Sequence, residues 1–116
     1  MSISVEDQIK KILSNDRVVI IQDNNETCSW CIRAKQILEK LSIQYVAYSP
    51  KSLAASGKIT CESEEEILAA LTKLTKGYSF VPMIFIHSQF IGGCQQLEEM
   101  MRAKKLMKLL HGESKL

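Results

Sequence analysis

Cys28 and Cys31 are separated by two residues in the run Cys28-Ser29-Trp30-Cys31, and the other cysteines, Cys61 and Cys94, stand alone. The pair follows the apolar, β-branched run Val18-Val19-Ile20-Ile21. It opens a stretch in which Ile32, Ala34, Ile37, Leu38 and Leu41 recur at helical spacing. A thiol placed where a strand gives way to a helix faces unpaired backbone N–H groups and the positive end of the helix dipole. Both favour the thiolate. A second thiol one turn along can attack a mixed disulfide formed on the first. The placement therefore makes Cys28 the attacking nucleophile and Cys31 the resolving thiol. Half of a zinc site is the competing chemistry, but it needs a second ligand pair, and Cys61, His87 and Cys94 are isolated from one another.

The elements that must hold the pair can be read from periodicity. A helix is expected over about 4–14, with Val5, Ile9, Ile12 and Leu13 on one face and Ser4 as its cap. Residues 17–21 read as a strand buried on both faces, and 22–27 as a polar loop before the cysteines. A second strand is expected over 43–48. Pro50 and Gly57 mark 49–60 as a loop, with one helical turn at Leu53-Ala54-Ala55. Glu62, Glu64, Glu65 and Glu66 precede Ile67, Leu68, Leu71 and Leu74, which suits a helix with negative charge on its positive end, capped by Thr60 or Ser63 and closed by Gly77. Pro82 leads into a strand at 83–86, His87-Ser88 turns it, and a short strand at 89–91 ends at Gly92-Gly93. A last helix is expected from about 94 to 110, with Leu97, Met101, Leu106, Leu109 and Leu110 inward. The order α-β-α-β-α-β-β-α predicts an α/β fold with a mixed, four-stranded sheet. Its first two strands are parallel and its last two form a hairpin.

Composition narrows the function. The chain has 116 residues, 46% hydrophobic and 24% charged, with a net charge of +2. That suits one domain over 1–116, its core at about 17–110. The charge balance is too even to predict binding to nucleic acid, and no run suits a membrane span. Glu6, Asp7 and Asp16 near the start argue against a signal or transit peptide, so a cytoplasmic location is expected. Without a secretory signal, four cysteines read as free thiols rather than a disulfide framework.

With these elements in place, the cysteine pair, Phe80-Val81-Pro82 before the hairpin, and Ile91-Gly92-Gly93 before the last helix together resemble a dithiol glutaredoxin. The landmarks occur in the family's order, and the likeness covers roughly 17–110. The resemblance implies a thioredoxin-like, three-layer fold with helices flanking the sheet. It also implies a glutathione-dependent oxidoreductase acting on disulfide-containing and glutathionylated proteins. Glutathione, or a related low-molecular-weight thiol, would be bound by Trp30, Phe80, Val81, Pro82, Gly93, Cys94 and Gln95. By the same resemblance Pro82 is cis, the Val81 backbone meets glutathione, and the paired glycines let the chain approach it. Read from the sequence alone, Pro82 could equally be an ordinary strand-starting proline, and the glycines a plain turn.

The departures from that pattern are specific. No basic residue stands between Arg17 and Cys28, while Asp23 and Glu26 oppose a thiolate there, and Arg33 and Lys35 could compensate. Tyr78-Ser79-Phe80 replaces the basic residue and Thr common in the family, and Cys94-Gln95-Gln96 follows the glycines where Asp or Ser is common. Backbone N–H groups at the last helix could still hold a carboxylate. Ser29 replaces a proline, which resembles glutaredoxins that bridge a [2Fe-2S] cluster between two protomers through the first cysteine, here Cys28. Otherwise a monomer is expected, with no metal. Cys94, at a helix start, is either an activated thiol open to glutathionylation or a buried, inert one. Trp30 either binds a partner or packs over the helix start, and Tyr78 and Phe80 either line the site or pack. Cys61 is expected to be a bystander and His87 an exposed turn residue. Arg102, Lys104, Lys105 and Lys108 read as a solvated face.

Overall fold

A computed structural model of the chain describes residues 4–25 and 27–111. Glu26, expected beside the cysteines, lies outside the described residues. Helix α1 (Val5–Leu13) starts at Ser4, whose hydroxyl accepts from the Asp7 N–H at 3.1 Å. Strand β1 (Val18–Ile21) is buried along its whole length because it packs on both sides. Val19 and Ile21 meet α1, α3 (Pro50–Ala55) and α4 (Glu64–Leu74). Val18 and Ile20 meet α2 (Ser29–Lys40), α5 (Cys94–Arg102) and α6 (Leu106–Leu110). Strand β3 (Met83–Ile86) alternates the same way, so the sheet is the middle of three layers.

The sheet order is β2-β1-β3-β4, with β2 at Val46–Tyr48 and β4 at Gln89–Gly92. β1 pairs parallel with β2 (Val19 opposite Val46) and antiparallel with β3 (Val19 opposite Phe85). The hairpin between β3 and β4 turns at His87 and Ser88, both in the left-handed region at φ 51° and 68°. Two such residues match the twist of the flanking strands.

Three expectations are corrected. The segment 49–60 carries more than one helical turn. Ser49 and Ser52 form a capping box and Pro50 fills the first helical position, which suffices to start α3. The second strand is shorter than 43–48, beginning at Val46. The last helix is two helices. It breaks where Lys104 takes φ 58° and the N–H of Lys105 donates to the Met100 carbonyl at 2.9 Å, closing α5 in the manner usually served by glycine. Within α5 the buried face runs through Cys94, Leu97 and Met100, so Met100 and not Met101 reaches the core, and Met101 is exposed at 37%. At α4, Ser63 rather than Thr60 is the cap residue. Thr60 instead donates its backbone N–H to the Gln8 side chain at 2.7 Å.

Candidate active site

Parallel pairing of β1 with β2 ends at Tyr48, whose carbonyl accepts from the Gln22 N–H at 2.8 Å. The chain then crosses the loop to Cys28, the cap residue of α2. The Cys28 side chain folds back over the helix end, where its sulfur accepts from the Cys31 N–H at 3.3 Å. The sulfur thus serves one of the donors that a helix start leaves unpaired, while remaining half-exposed. Cys31 lies one turn in, 3% exposed. Its thiol is pushed up to about 12, first by burial and then by hydrogen bonding to the Cys28 sulfur. Burial and the neighbouring Cys28 sulfur thus both favour the protonated form of Cys31. The backbone of Asp23 acts in the opposite direction, while the Asp23 carboxylate adds to the rise.

A pocket of about 380 Å³ is lined by Trp30, Tyr78, Phe80, Val81, Pro82, Cys94, Gln95 and Gln96. Of the residues expected to bind a thiol, only Gly93 is missing from that wall. Val81 and Pro82 are joined by a cis peptide bond, as expected. Trp30 and Phe80 are exposed at 59% and 70%, so both present apolar surface at the site rather than packing inward. Behind them an aromatic ladder runs into the core, from Phe80 to Tyr78 at 5.7 Å between ring centres, Tyr78 to Phe90 at 5.1 Å, and Phe90 to Phe85 at 5.4 Å. A larger hollow of about 910 Å³, walled by Glu39, Tyr45 and Met107 among others, includes none of the cysteines.

The paired glycines serve the chain's own side chains. A Cβ at Gly93 would lie 2.4 Å from the Tyr78 hydroxyl and 3.3 Å from the Pro82 carbonyl oxygen. Gly92, at φ 123°, leaves no room for a Cβ beside the Gln96 side chain, whose carbonyl accepts from the Gly93 N–H at 2.8 Å. Tyr78 and Gln96 are therefore part of the wall. Tyr78 had a signal in the sequence, an aromatic two positions before Phe80; Gln96 had none beyond its place in the first turn.

Cys94 has the environment of an inert thiol. It begins α5, is 3% exposed, and its sulfur lies 3.7 Å from the Glu98 carboxylate. Burial, and then Glu98, push it up to about 11. Glu98 is held below the usual carboxylate range by the Arg33 guanidinium, and Arg102 reaches it at 3.2 Å. Arg33 is thus engaged by Glu98 rather than compensating for the acidic loop before Cys28. His87 is exposed, and its Nε2 also donates to the Leu110 carbonyl at 2.7 Å, pinning α6 to the hairpin turn. Cys61 is half-buried against the core layer of α1 and α4.

No model of a protein family matches the chain. It is 33% identical to mouse mitochondrial glutaredoxin-2 over 104 residues, which cover 90% of this chain and 60% of that protein. It is 34% identical to a glutaredoxin of Pseudomonas aeruginosa over 83 residues, 72% of this chain and 84% of the relative. The chain belongs to the glutaredoxin family. The crystal structure of a buckwheat glutaredoxin–glutathione complex superposes with a TM-score of 0.76 at 26% identity, covering 93% of this chain and 88% of that one. Within the glutaredoxin fold, the mixed four-stranded sheet and its flanking helices are those the sequence implied.

Proposed function

We propose that the chain is a glutathione-dependent thiol–disulfide oxidoreductase that reduces protein disulfides and protein–glutathione mixed disulfides, with Cys28 as nucleophile and Cys31 as resolving thiol. The observation that carries the reading is the cysteine pair itself. The Cys28 sulfur is half-exposed and receives the backbone N–H of Cys31, while the Cys31 thiol lies buried one turn along the same helix. The Cys28 thiolate attacks the glutathione sulfur of a mixed disulfide. The new Cys28–glutathione bond forms as the target's thiolate leaves. A second glutathione thiolate then attacks the bound glutathione sulfur, releasing glutathione disulfide and restoring Cys28. Alternatively Cys31 displaces glutathione, and the resulting disulfide is reduced later.

The pocket beside the pair supports glutathione as cosubstrate, since Trp30, Phe80, Val81, Pro82 and Gln95 form its wall. The buckwheat relative is a glutaredoxin–glutathione complex, which favours the same ligand. Free thiols at all four cysteines suit a reducing compartment such as the cytoplasm. In a bridged [2Fe-2S] dimer, Cys28 is the sulfur of the pair that could reach a cluster, Cys31 being buried. No contact of Cys28 favours that role over thiol exchange.

The test is deglutathionylation of a glutathionylated peptide by the Cys28→Ser and Cys31→Ser variants. Cys28→Ser is expected to be inactive and Cys31→Ser to keep substantial activity by the monothiol route. Full activity in Cys28→Ser overturns the reading.

A further inference from the structure

Two helix starts contribute to the pocket beside the cysteines. Trp30 comes from the first turn of α2, and Cys94, Gln95 and Gln96 from the first turn of α5. Beyond the pocket both helices lie on one face of the sheet, where Ala34 and Leu38 of α2 share a core layer with Cys94 and Leu97 of α5. One turn past the pocket each helix carries a charged residue, Arg33 three positions after Trp30 and Glu98 three after Gln95. The Arg33 guanidinium donates through Nε to Oε1 of Glu98, so this ion pair crosses from α2 to α5. The second carboxylate oxygen accepts from Arg102 at 3.2 Å, within α5. Among the described residues no other ion pair joins two elements. The Glu98 side chain is 13% exposed, and Arg33 does most to keep it ionised.

We propose that Arg33 and Glu98 are positioning residues for the glutathione half of the substrate: their bridge fixes the spacing of the α2 and α5 starts, whose first turns line the pocket. The proposal rests on the glutathione reading above, under which Cys28 forms a mixed disulfide beside that pocket. Neither residue lines the pocket itself, so each acts through the helix that carries it. Apolar contact between Ala34, Leu38 and Leu97 is non-directional and tolerates small slides of one helix past the other. A charge-assisted N–H···O bond is directional and resists them. Arg102 offers a comparison built into the molecule. It meets the same carboxylate with the same charge, but from four residues along α5, so it cannot set the distance between helices. Loss of the Arg33 bridge should therefore loosen the hold on glutathione, while Cys28 stays the cap of α2 through its own contact with the Cys31 N–H.

The experiment equilibrates the Cys31→Ser protein with mixtures of glutathione and glutathione disulfide. The Cys28 sulfur bonds to one glutathione sulfur as the disulfide of glutathione breaks, and the leaving thiolate takes the proton Cys28 gave up, yielding one free glutathione. Mass spectrometry of the adduct gives the equilibrium constant. Arg33→Ala is expected to lower that constant about two- to five-fold, the scale of a partly exposed ion pair. Arg33→Lys should recover part of the loss, and Arg102→Ala should leave the constant unchanged. The same titration with hydroxyethyl disulfide, whose adduct is too small to use the pocket, should respond to none of these variants. That arm separates a role in the pocket from an effect of the Arg33 charge on the Cys28 thiol. Equal losses in Arg33→Ala and Arg102→Ala, an equal loss with hydroxyethyl disulfide, or no loss in Arg33→Ala overturns the proposal. Should Arg33→Ala fail to fold by thermal melting, Glu98→Gln carries the same comparison. Failure of the Cys31→Ser protein itself to take up glutathione at Cys28 would instead overturn the reading beneath it.

Discussion

Cys28 and Cys94 stand at corresponding places, each where extended chain becomes helix, yet their surroundings are opposite. Cys28 is the residue before the first turn of α2, and its half-exposed sulfur reaches back to accept the Cys31 N–H at 3.3 Å. Cys94 lies inside the first turn of α5, where its buried sulfur meets the Glu98 carboxylate at 3.7 Å. The helix dipole acts near both sulfurs. What separates them is one position along the chain, which decides whether the sulfur meets a donor or an anion, and water or the core. A helix start alone does not make a working thiol.

The strongest test of this contrast is replacement of each sulfur. Cys28→Ser should lower deglutathionylation by on the order of a thousand-fold or more, because the bond-forming atom is gone. Cys94→Ser should cost no more than about three-fold, through the pocket wall it shares. A large loss at Cys94, measured as kcat/KM on a glutathionylated peptide, would break the contrast. Next in size is Glu98→Gln. It removes the carboxylate but leaves burial, the larger cause of the rise at Cys94. Alkylation of Cys94 at pH 9 should quicken by roughly two- to five-fold, because removing the neighbouring negative charge favours the thiolate. Unchanged labelling, read by mass spectrometry, would show that burial alone keeps Cys94 inert.

A smaller effect is expected where the two regions meet. Gly93→Ala sets a methyl 2.4 Å from the Tyr78 hydroxyl, and should cost about 1–3 kcal/mol of stability, as overpacking does. Adding Tyr78→Phe should recover most of it, since the next ring atom lies at an ordinary 3.5 Å from the added Cβ. Without that recovery in denaturant unfolding, the Pro82 carbonyl is the true obstacle.

The features legible in the sequence were those with a local signature. The β-branched run of β1, the cysteine pair at a helix start, the strand after Pro82 and the paired glycines each announce themselves within a few residues, and the structure brings them together. Lys104 did not, because a left-handed residue ending α5 is foreseen when it is glycine and not when it is lysine. Neither did the hydrogen bonds of the Asn24 side chain to Lys51 and Glu64. These partners lie 27 and 40 residues away, and contacts at that separation leave no periodic trace. The fate of Arg33 was hidden for the same reason, its partner Glu98 being 65 residues distant. Sequence spacing located the thiols, and the place of each relative to its helix start, cap for Cys28 and first turn for Cys94, distinguished the thiol that meets solvent from the thiol that meets a carboxylate.

The smallest expected effect appears in alkaline unfolding and dissects the buried thiols from each other. Cys31 and Cys94 are raised from 9.0 to about 12 and about 11 in the folded state. A folded state that holds its protons more tightly than the unfolded chain is favoured while both states are protonated. That stabilisation is complete below about pH 9 and is lost as pH rises through 11 and 12. Tyr45, raised to about 12 by burial and Glu39, adds a loss of the same sign that is common to every variant, and Tyr78, raised by burial and then by Cys94, adds one that weakens in Cys94→Ser. Urea midpoints taken from pH 8 to 11.5 should therefore fall with pH in the wild type. They should fall less steeply between 9 and 11 in Cys94→Ser, and less steeply from 9 to the top of the range in Cys31→Ser. Parallel curves for wild type and Cys94→Ser would mean that Cys94 ionises as readily folded as unfolded, and that its seclusion behind Glu98 does not extend to its proton.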